Sequence, residues 1–177
     1  MPNMQGPVIV APGPEHDIKC AIQKCDKKDY DISKTKAGAQ MPPGSRCSAL
    51  GTLKHTCVKE TLQKGSPSCQ CEQTFDMSAN PPAPVPSSPG KGLGCRPDVV
   101  VGGPPPAAYD VYDAKFPCSD TVKSGSAKSS GPLPSAAKTG ASYESATSKE
   151  RTRHPIIANG GKSKTVAPVD CENEPCD

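Results

Sequence analysis

The stretch Ala108-Tyr109-Asp110-Val111-Tyr112-Asp113-Ala114-Lys115-Phe116 decides how this chain is read. Side chains alternate along a β-strand, so Tyr109, Val111, Asp113 and Lys115 share one face, and Asp110, Tyr112, Ala114 and Phe116 share the other. One face therefore carries an acid and an amine two residues apart. Burying such a pair in a central strand is costly unless the charges are matched or used. Upstream, Cys95-Arg96-Pro97-Asp98-Val99-Val100-Val101 is a second strand candidate, and Gly102-Gly103-Pro104-Pro105-Pro106 between the two predicts a hairpin. That hairpin sets Asp98, at the start of its strand, beside the end of the neighbouring strand where Asp113 lies.

Moving outward, the segment SRCSALGTLKHTCVKETLQK over residues 45–64 repeats Leu50, Leu53, Cys57 and Thr61 at three- and four-residue steps, the spacing of one face of an amphipathic helix. Ser45 suits the N-cap, and Gly65 with Pro67 suits the stop. Glu60 falls on this stripe, whereas Lys54, Lys59 and Lys64 fall elsewhere. A carboxylate on an otherwise apolar face needs a partner, and three acids, Glu60, Asp98 and Asp113, around a hard cation make an oxygen-ligand site of the Mg²⁺ kind. His55 lies off the stripe and reads as a surface or helix-packing histidine.

Residues 68–77 alternate well enough for a strand. Asn80-Pro81-Pro82-Ala83-Pro84-Val85-Pro86 reads as an extended linker that does not enter a sheet ladder. Residues 119–142 are Ser/Lys/Gly/Ala/Pro-rich and predict a flexible insertion; 142–153 suggest a polar helix stopped by Pro155, and 162–169 a last strand. Residues 1–18 and 26–45 have no period, with room for one short helix at most over 17–24. The chain thus divides into an irregular N-terminal segment, 1–44, and one α/β domain, 45–177.

Composition bounds the rest. The chain has 177 residues, of which 33% are hydrophobic and 3% aromatic, with no Trp, while Gly 16 and Pro 22 are abundant. So thin an apolar supply excludes a long helical bundle and predicts folding over part of the length only. No window approaches the roughly 20 apolar residues of a membrane span. Met1-Pro2-Asn3-Met4-Gln5-Gly6 has no basic residue ahead of its short apolar run, so it does not read as a Sec signal. The net charge of +3 is too small to identify a nucleic-acid binder, although over 123–164 the basic residues face only two acids, Glu144 and Glu150. Ten cysteines fit disulfides or free thiols. Cys20-x4-Cys25 and Cys171-x4-Cys176 have spacings a zinc site tolerates, but those four must meet from opposite ends of the chain.

Pro97-Asp98, fourteen residues, then Asp113-x-Lys115 resembles the PD-(D/E)xK signature of restriction-endonuclease-like nucleases. The flanking wording, Arg96-Pro97-Asp98-Val99-Val100-Val101 and Ala114-Lys115-Phe116-Pro117, is similar to the VRR-NUC-related toxin domains of bacterial polymorphic and type VI secretion effectors. Further points of likeness are the helix carrying Cys47 and His55, the Pro-rich run before Arg96 and the closing Val169-Asp170-Cys171. The resemblance covers about 45–118 well and 162–176 loosely, and leaves 1–44 unexplained.

The resemblance implies a restriction-endonuclease-like core (helix, three strands, helix, strand) with a small mixed sheet and long irregular loops. It implies that Asp98 and Asp113 bind Mg²⁺ or Mn²⁺, that Glu60 completes or orients the metal site, and that Lys115 positions and polarises the attacking water. The activity implied is endonucleolytic cleavage of DNA by an antibacterial toxin. That toxin would leave the producer without a Sec signal, through a secretion-apparatus or delivery component, act in the cytoplasm of a target bacterium, and be blocked in the producer by a cognate immunity protein. Many relatives carry a Gln after the Asp-x-Lys strand. None occurs here after Lys115, and Tyr143, Lys149, Arg151 and Arg153 are the substitutes in reach for nucleic-acid contact. Three other readings stand beside this one: a non-enzymatic cysteine-stabilised interaction module, a degenerate nuclease-fold nucleic-acid binder, and a PD-(D/E)xK enzyme acting on RNA or tRNA.

Overall fold

The computed structural model describes residues 12–30, 43–87, 90, 94–103, 107–116, 156–157 and 160–176. The insertion at 119–142, the polar helix over 142–153, and Tyr143, Lys149, Arg151 and Arg153 lie outside the described residues.

The protein is mixed α/β, with two helices and two small sheets. Helix α1 spans Pro14–Lys27 and α2 spans Pro43–Gly65. The strands are β1 (Cys69–Cys71), β2 (Thr74–Asp76), β3 (Ala83–Val85), β4 (Gly94–Cys95), β5 (Val99–Gly102), β6 (Tyr109–Ala114) and β7 (Ser163–Val166), followed by a 3-10 turn over Pro168–Cys171. The larger sheet has the order β1-β5-β6-β7, antiparallel except for the parallel β6–β7 pair. The smaller sheet has the order β3-β2-β4 and is antiparallel throughout.

Helix α1 is longer than the short helix, 17–24, for which the sequence left room within 1–44. Its first turn holds Pro14, Glu15 and Asp17 and its last turn Lys24 and Lys27, each of which suits the helix dipole. Ile18, Ala21, Ile22 and Cys25 recur at helical spacing and are buried. Burying Ile18 and Ile22 contributes roughly 1.5–3 kcal/mol each. Four apolar residues interleaved with charges are a weak signal along the chain. They become a face once α2 lies against them.

The two helices run antiparallel: Asp26 meets Lys54, Cys25 is disulfide-bonded to Cys57, and Asp17 accepts a hydrogen bond from Ser66. This docking rotates the buried stripe of α2 away from the one expected. Leu50, Lys54, Cys57, Val58 and Leu62 are buried, while Leu53 is 38% exposed. Lys54 is wholly buried because Asp26 Oδ1 accepts from its ammonium at 2.6 Å and the Asp26 carbonyl at 3.3 Å, with the Phe116 ring 5.5 Å away. A lysine counted as a surface residue is here part of the core.

The alternation of β6 sorts its side chains into two layers. Tyr112 and Ala114 pack with α1 and α2, whereas Tyr109 and Val111 pack with Phe75, Val100 and Ile156 on the other face. The single strand expected over 68–77 is two strands in different sheets, because Glu72 takes a left-handed conformation, φ 55°, between β1 and β2. The Pro-rich run does enter a ladder: Pro84 pairs opposite Phe75 in β3, an edge strand, where its missing N–H faces away from β2. Gly102 ends β5 with φ 103°, and a side chain there would run into the Ala108 carbonyl, so glycine is required where the hairpin narrows.

The cysteines at the two ends of the chain do meet, as a disulfide and not as a zinc site. Cys20 is bonded to Cys176 and Cys25 to Cys57; Cys47 is also disulfide-bonded. Cys69 and Cys171 are buried thiols. Cys71, two residues from Cys69 on β1, lies on the same face and packs half-buried against the same core, which corrects the expectation that the two point to opposite faces.

Candidate active site

The β5–β6 hairpin pairs Val99 with Tyr112, so Asp98, one residue ahead of β5, comes level with Asp113 and Ala114. Asp98 Oδ2 accepts a hydrogen bond from the Ala114 N–H at 2.8 Å, which fixes its carboxylate against the end of β6. Asp113 is fully buried on β6, and Lys115, two residues on, places its ammonium 2.5 Å from Asp113 Oδ2. Lys115 N also donates to Val166 O at 2.9 Å, so β7 holds the backbone that carries this lysine. Asp98, Asp113 and Lys115 therefore converge.

The electrostatics of the pair are unbalanced. Burial, a hydrogen bond to Asp113 and the charge of Asp113 push the Asp98 carboxyl up to about 8, against partial relief from the Ala114 N–H and Lys115. Two carboxylates sharing one ammonium in a low-dielectric site cannot both ionise cheaply. Such a pair holds a proton in place of a second positive charge.

Glu60 does not join them. It lies on the exposed side of α2, lining a shallow groove with Lys24, Lys28 and Lys64. At 100° per residue it sits about 140° round the helix from His55, which does reach the site. The expectation that Glu60 completes the metal site was built on a stripe through Leu53, and the buried Lys54 turns that stripe away.

Two residues that sequence reasoning passed over stand at the site instead. His55 Nδ1 is 3.4 Å from Asp98 Oδ2, and its ring meets Phe116 edge-on at 5.4 Å. Glu72, whose N–H donates to the Asp98 carbonyl at 2.9 Å, receives Lys59 at 2.7 Å and Arg96 at 3.6 Å. The Lys59 hydrogen bond, assisted by Arg96 and His55, holds the Glu72 carboxyl below the usual range. His55 and Lys59 are four residues apart and share a helical face, so the spacing was visible. What was missing was which face of α2 meets the sheet.

Among the described residues, no group of three or more His, Cys, Asp or Glu side chains is arranged to hold a metal ion. The donor set nevertheless suits a hard divalent cation, which commonly takes one or two protein carboxylates and fills its remaining positions with water and substrate oxygens. Asp98 and Asp113 are the residues that would hold such an ion.

No family model, curated protein or solved structure matches this chain. Among the described residues, no helix is long and apolar enough to cross a membrane.

Proposed function

We propose that the chain is a divalent-metal-dependent DNA endonuclease of the PD-(D/E)xK type. The observation that supports this best is the convergence of Asp98, Asp113 and Lys115 across one hairpin, two carboxyl groups to one ammonium. The mixed α/β fold, with an antiparallel β1–β5–β6 set extended by a parallel β7 and α2 against one face, is compatible with this reading.

Asp98 and Asp113 would hold Mg²⁺ or Mn²⁺. When bound, that ion supplies positive charge to the scissile phosphate and acidifies a water molecule. Lys115 brings an ammonium with three donors, and the one directed at Asp113 leaves others for a phosphate oxygen or a water. Asp113 orients Lys115, and the Ala114 N–H orients Asp98, so both groups are set before substrate arrives. His55 and Phe116 wall the side of α2 nearest Asp98.

Delivery into the cytoplasm of a target bacterium by a secretion apparatus, and neutralisation by a cognate immunity protein, belong to the same reading and rest on the sequence resemblance. The disulfides favour a second reading, a cysteine-stabilised interaction module without catalysis. One experiment separates the two. Wild-type protein nicks supercoiled plasmid with Mg²⁺ or Mn²⁺, stops with EDTA, and loses nicking on Lys115→Ala with an unchanged circular dichroism spectrum. A folded wild type that leaves plasmid intact with either ion removes the nuclease reading. Retained DNA binding in that case selects a degenerate binder, and absent binding selects the module.

A further inference from the structure

Away from the carboxylate pair, α1 and the C-terminal residues place a disulfide, an imidazole and a carboxylate in line. His16 Nε2 lies 3.5 Å from Cys20 Sγ, which is bonded to Cys176. His16 Nδ1 lies 2.7 Å from Glu174 Oε1, and Lys19 Nζ approaches the other oxygen of Glu174 at 3.2 Å. His16 and Cys20 are one turn apart on α1, and Glu174 stands two residues before Cys176, so the same two elements supply both the bond and its neighbours. A carboxylate only accepts, which keeps a hydrogen on Nδ1 and leaves Nε2 as the nitrogen turned to sulfur. A histidine oriented in this way beside a cysteine sulfur stabilises the thiolate.

The other described disulfide is more deeply buried, although Cys57 also lines the groove beside Glu60. Cys25 and Cys57 are 0% and 8% exposed within the core, and the polar group nearest the Cys25 sulfur is the Thr61 hydroxyl at 3.8 Å. Cys20 and Cys176 are only partly buried and line a cavity of about 440 Å³ between α1, the end of α2 and the C-terminal residues.

We propose that Cys20–Cys176 is a thiol–disulfide exchange site, whose substrate is a soluble thiolate and whose attacked atom is Cys176 Sγ. The incoming sulfur bonds to Cys176 Sγ as the Cys176–Cys20 bond breaks. The electron pair departs on Cys20 Sγ, 3.5 Å from His16 Nε2. A second thiolate then displaces Cys176 from the mixed disulfide, so two thiolates are oxidised to a small-molecule disulfide and the protein is reduced by two electrons. Exchange quickens as the departing thiol becomes more acidic. Opening this bond removes the covalent tie between α1 and the C-terminal residues, which Glu174 still holds through His16 and Lys19, while Cys25–Cys57 continues to hold α1 on α2. The site is thus a redox handle on a fold that remains stapled.

The test uses the oxidised full-length chain with its resident thiols capped, reacted with reduced glutathione, quenched with iodoacetamide over time and mapped by mass spectrometry. Cys20–Cys176 opens before Cys25–Cys57, and the first product carries glutathione on Cys176 and the alkyl group on Cys20. His16→Gln slows the opening about three- to tenfold and spreads glutathione over both sulfurs, with an unchanged circular dichroism spectrum. Glu174→Gln, which leaves the histidine in place, moves both readouts the same way and serves if the first variant does not fold. Glutathione found chiefly on Cys20, both disulfides opening together, or wild-type rates in the folded variants would overturn the assignment.

Discussion

Two buried lysine–aspartate pairs stand on either side of Phe116, and they are put to different use. Lys54 and Asp26 join α2 to the end of α1: the ammonium is fully buried, its contacts at 2.6 Å and 3.3 Å both go to Asp26, and an aromatic ring covers it. One positive charge meets one negative charge and the account closes. Lys115 and Asp113, at 2.5 Å, look alike in isolation, but Asp98 brings a second carboxylate to the same place, and its carboxyl is raised to about 8 as a result. A matched buried pair is structural, whereas a second carboxyl beside such a pair keeps its proton for want of further positive charge.

The largest effect expected from breaking this comparison is on activity. Asp113→Ala and Lys115→Ala each reduce plasmid nicking to background, while Lys54→Met leaves nicking per folded molecule within about twofold of wild type. Equal losses from all three, measured on folded protein, would mean that the two pairs are not different in kind.

The next effect is on stability. Lys54→Ala strands the Asp26 carboxylate and lowers the unfolding free energy by about 3–5 kcal/mol in urea titration, whereas the Lys54→Met, Asp26→Leu double variant restores most of it. A single variant that costs under about 1 kcal/mol would show that the first pair is solvated.

The second carboxyl can also be read through pH. An unfolded aspartate titrates near 3.9, and in the fold the Asp98 carboxyl is raised to about 8, so between these values the folded chain binds more protons than the unfolded one. The stability this group contributes is fully present below pH 3.9 and is lost as pH rises through 8. Melting temperature in EDTA therefore falls across that window more steeply for wild type than for Asp98→Asn. Mg²⁺ restores more of it at pH 8 than at pH 5. Parallel pH profiles for the two proteins would show that the Asp98 carboxyl is not raised.

The smallest effect sharpens the corrected site. Glu60→Gln changes nicking by less than about twofold, because Glu60 is exposed on another side of α2, while His55→Ala lowers it several-fold through the loss of the contact with Asp98. A larger loss from Glu60→Gln than from His55→Ala in the same assay would return Glu60 to the site.

Much of the hairpin was legible from local rules. The alternation over 109–116 assigns Asp113 and Lys115 to one face, the Gly/Pro run after Val101 calls for a reversal, and Asp98 then comes level with the end of the neighbouring strand. The helix α2 was legible as a helix but not as a face. Its stripe was drawn through Leu53 and Glu60 because lysines are counted as exposed, and nothing near Lys54 in the chain announces Asp26, twenty-eight residues earlier. For the same reason α1 was legible only as a short helix over 17–24: its four apolar side chains acquire a partner only when α2 folds back along it. Glu72 was hidden by a different cause, a left-handed residue that splits one apparent strand into two.

What the sequence by itself determined is whatever depends on neighbours along the chain: the period of each element, the turn between β5 and β6, and the acid and amine two residues apart. Only the tertiary structure decided which side of α2 is inside, which cysteines pair, and that His55 rather than Glu60 stands beside Asp98. Those outcomes depend on groups far apart in sequence that become neighbours through packing, and a buried charge is stable only where its partner has been brought to meet it.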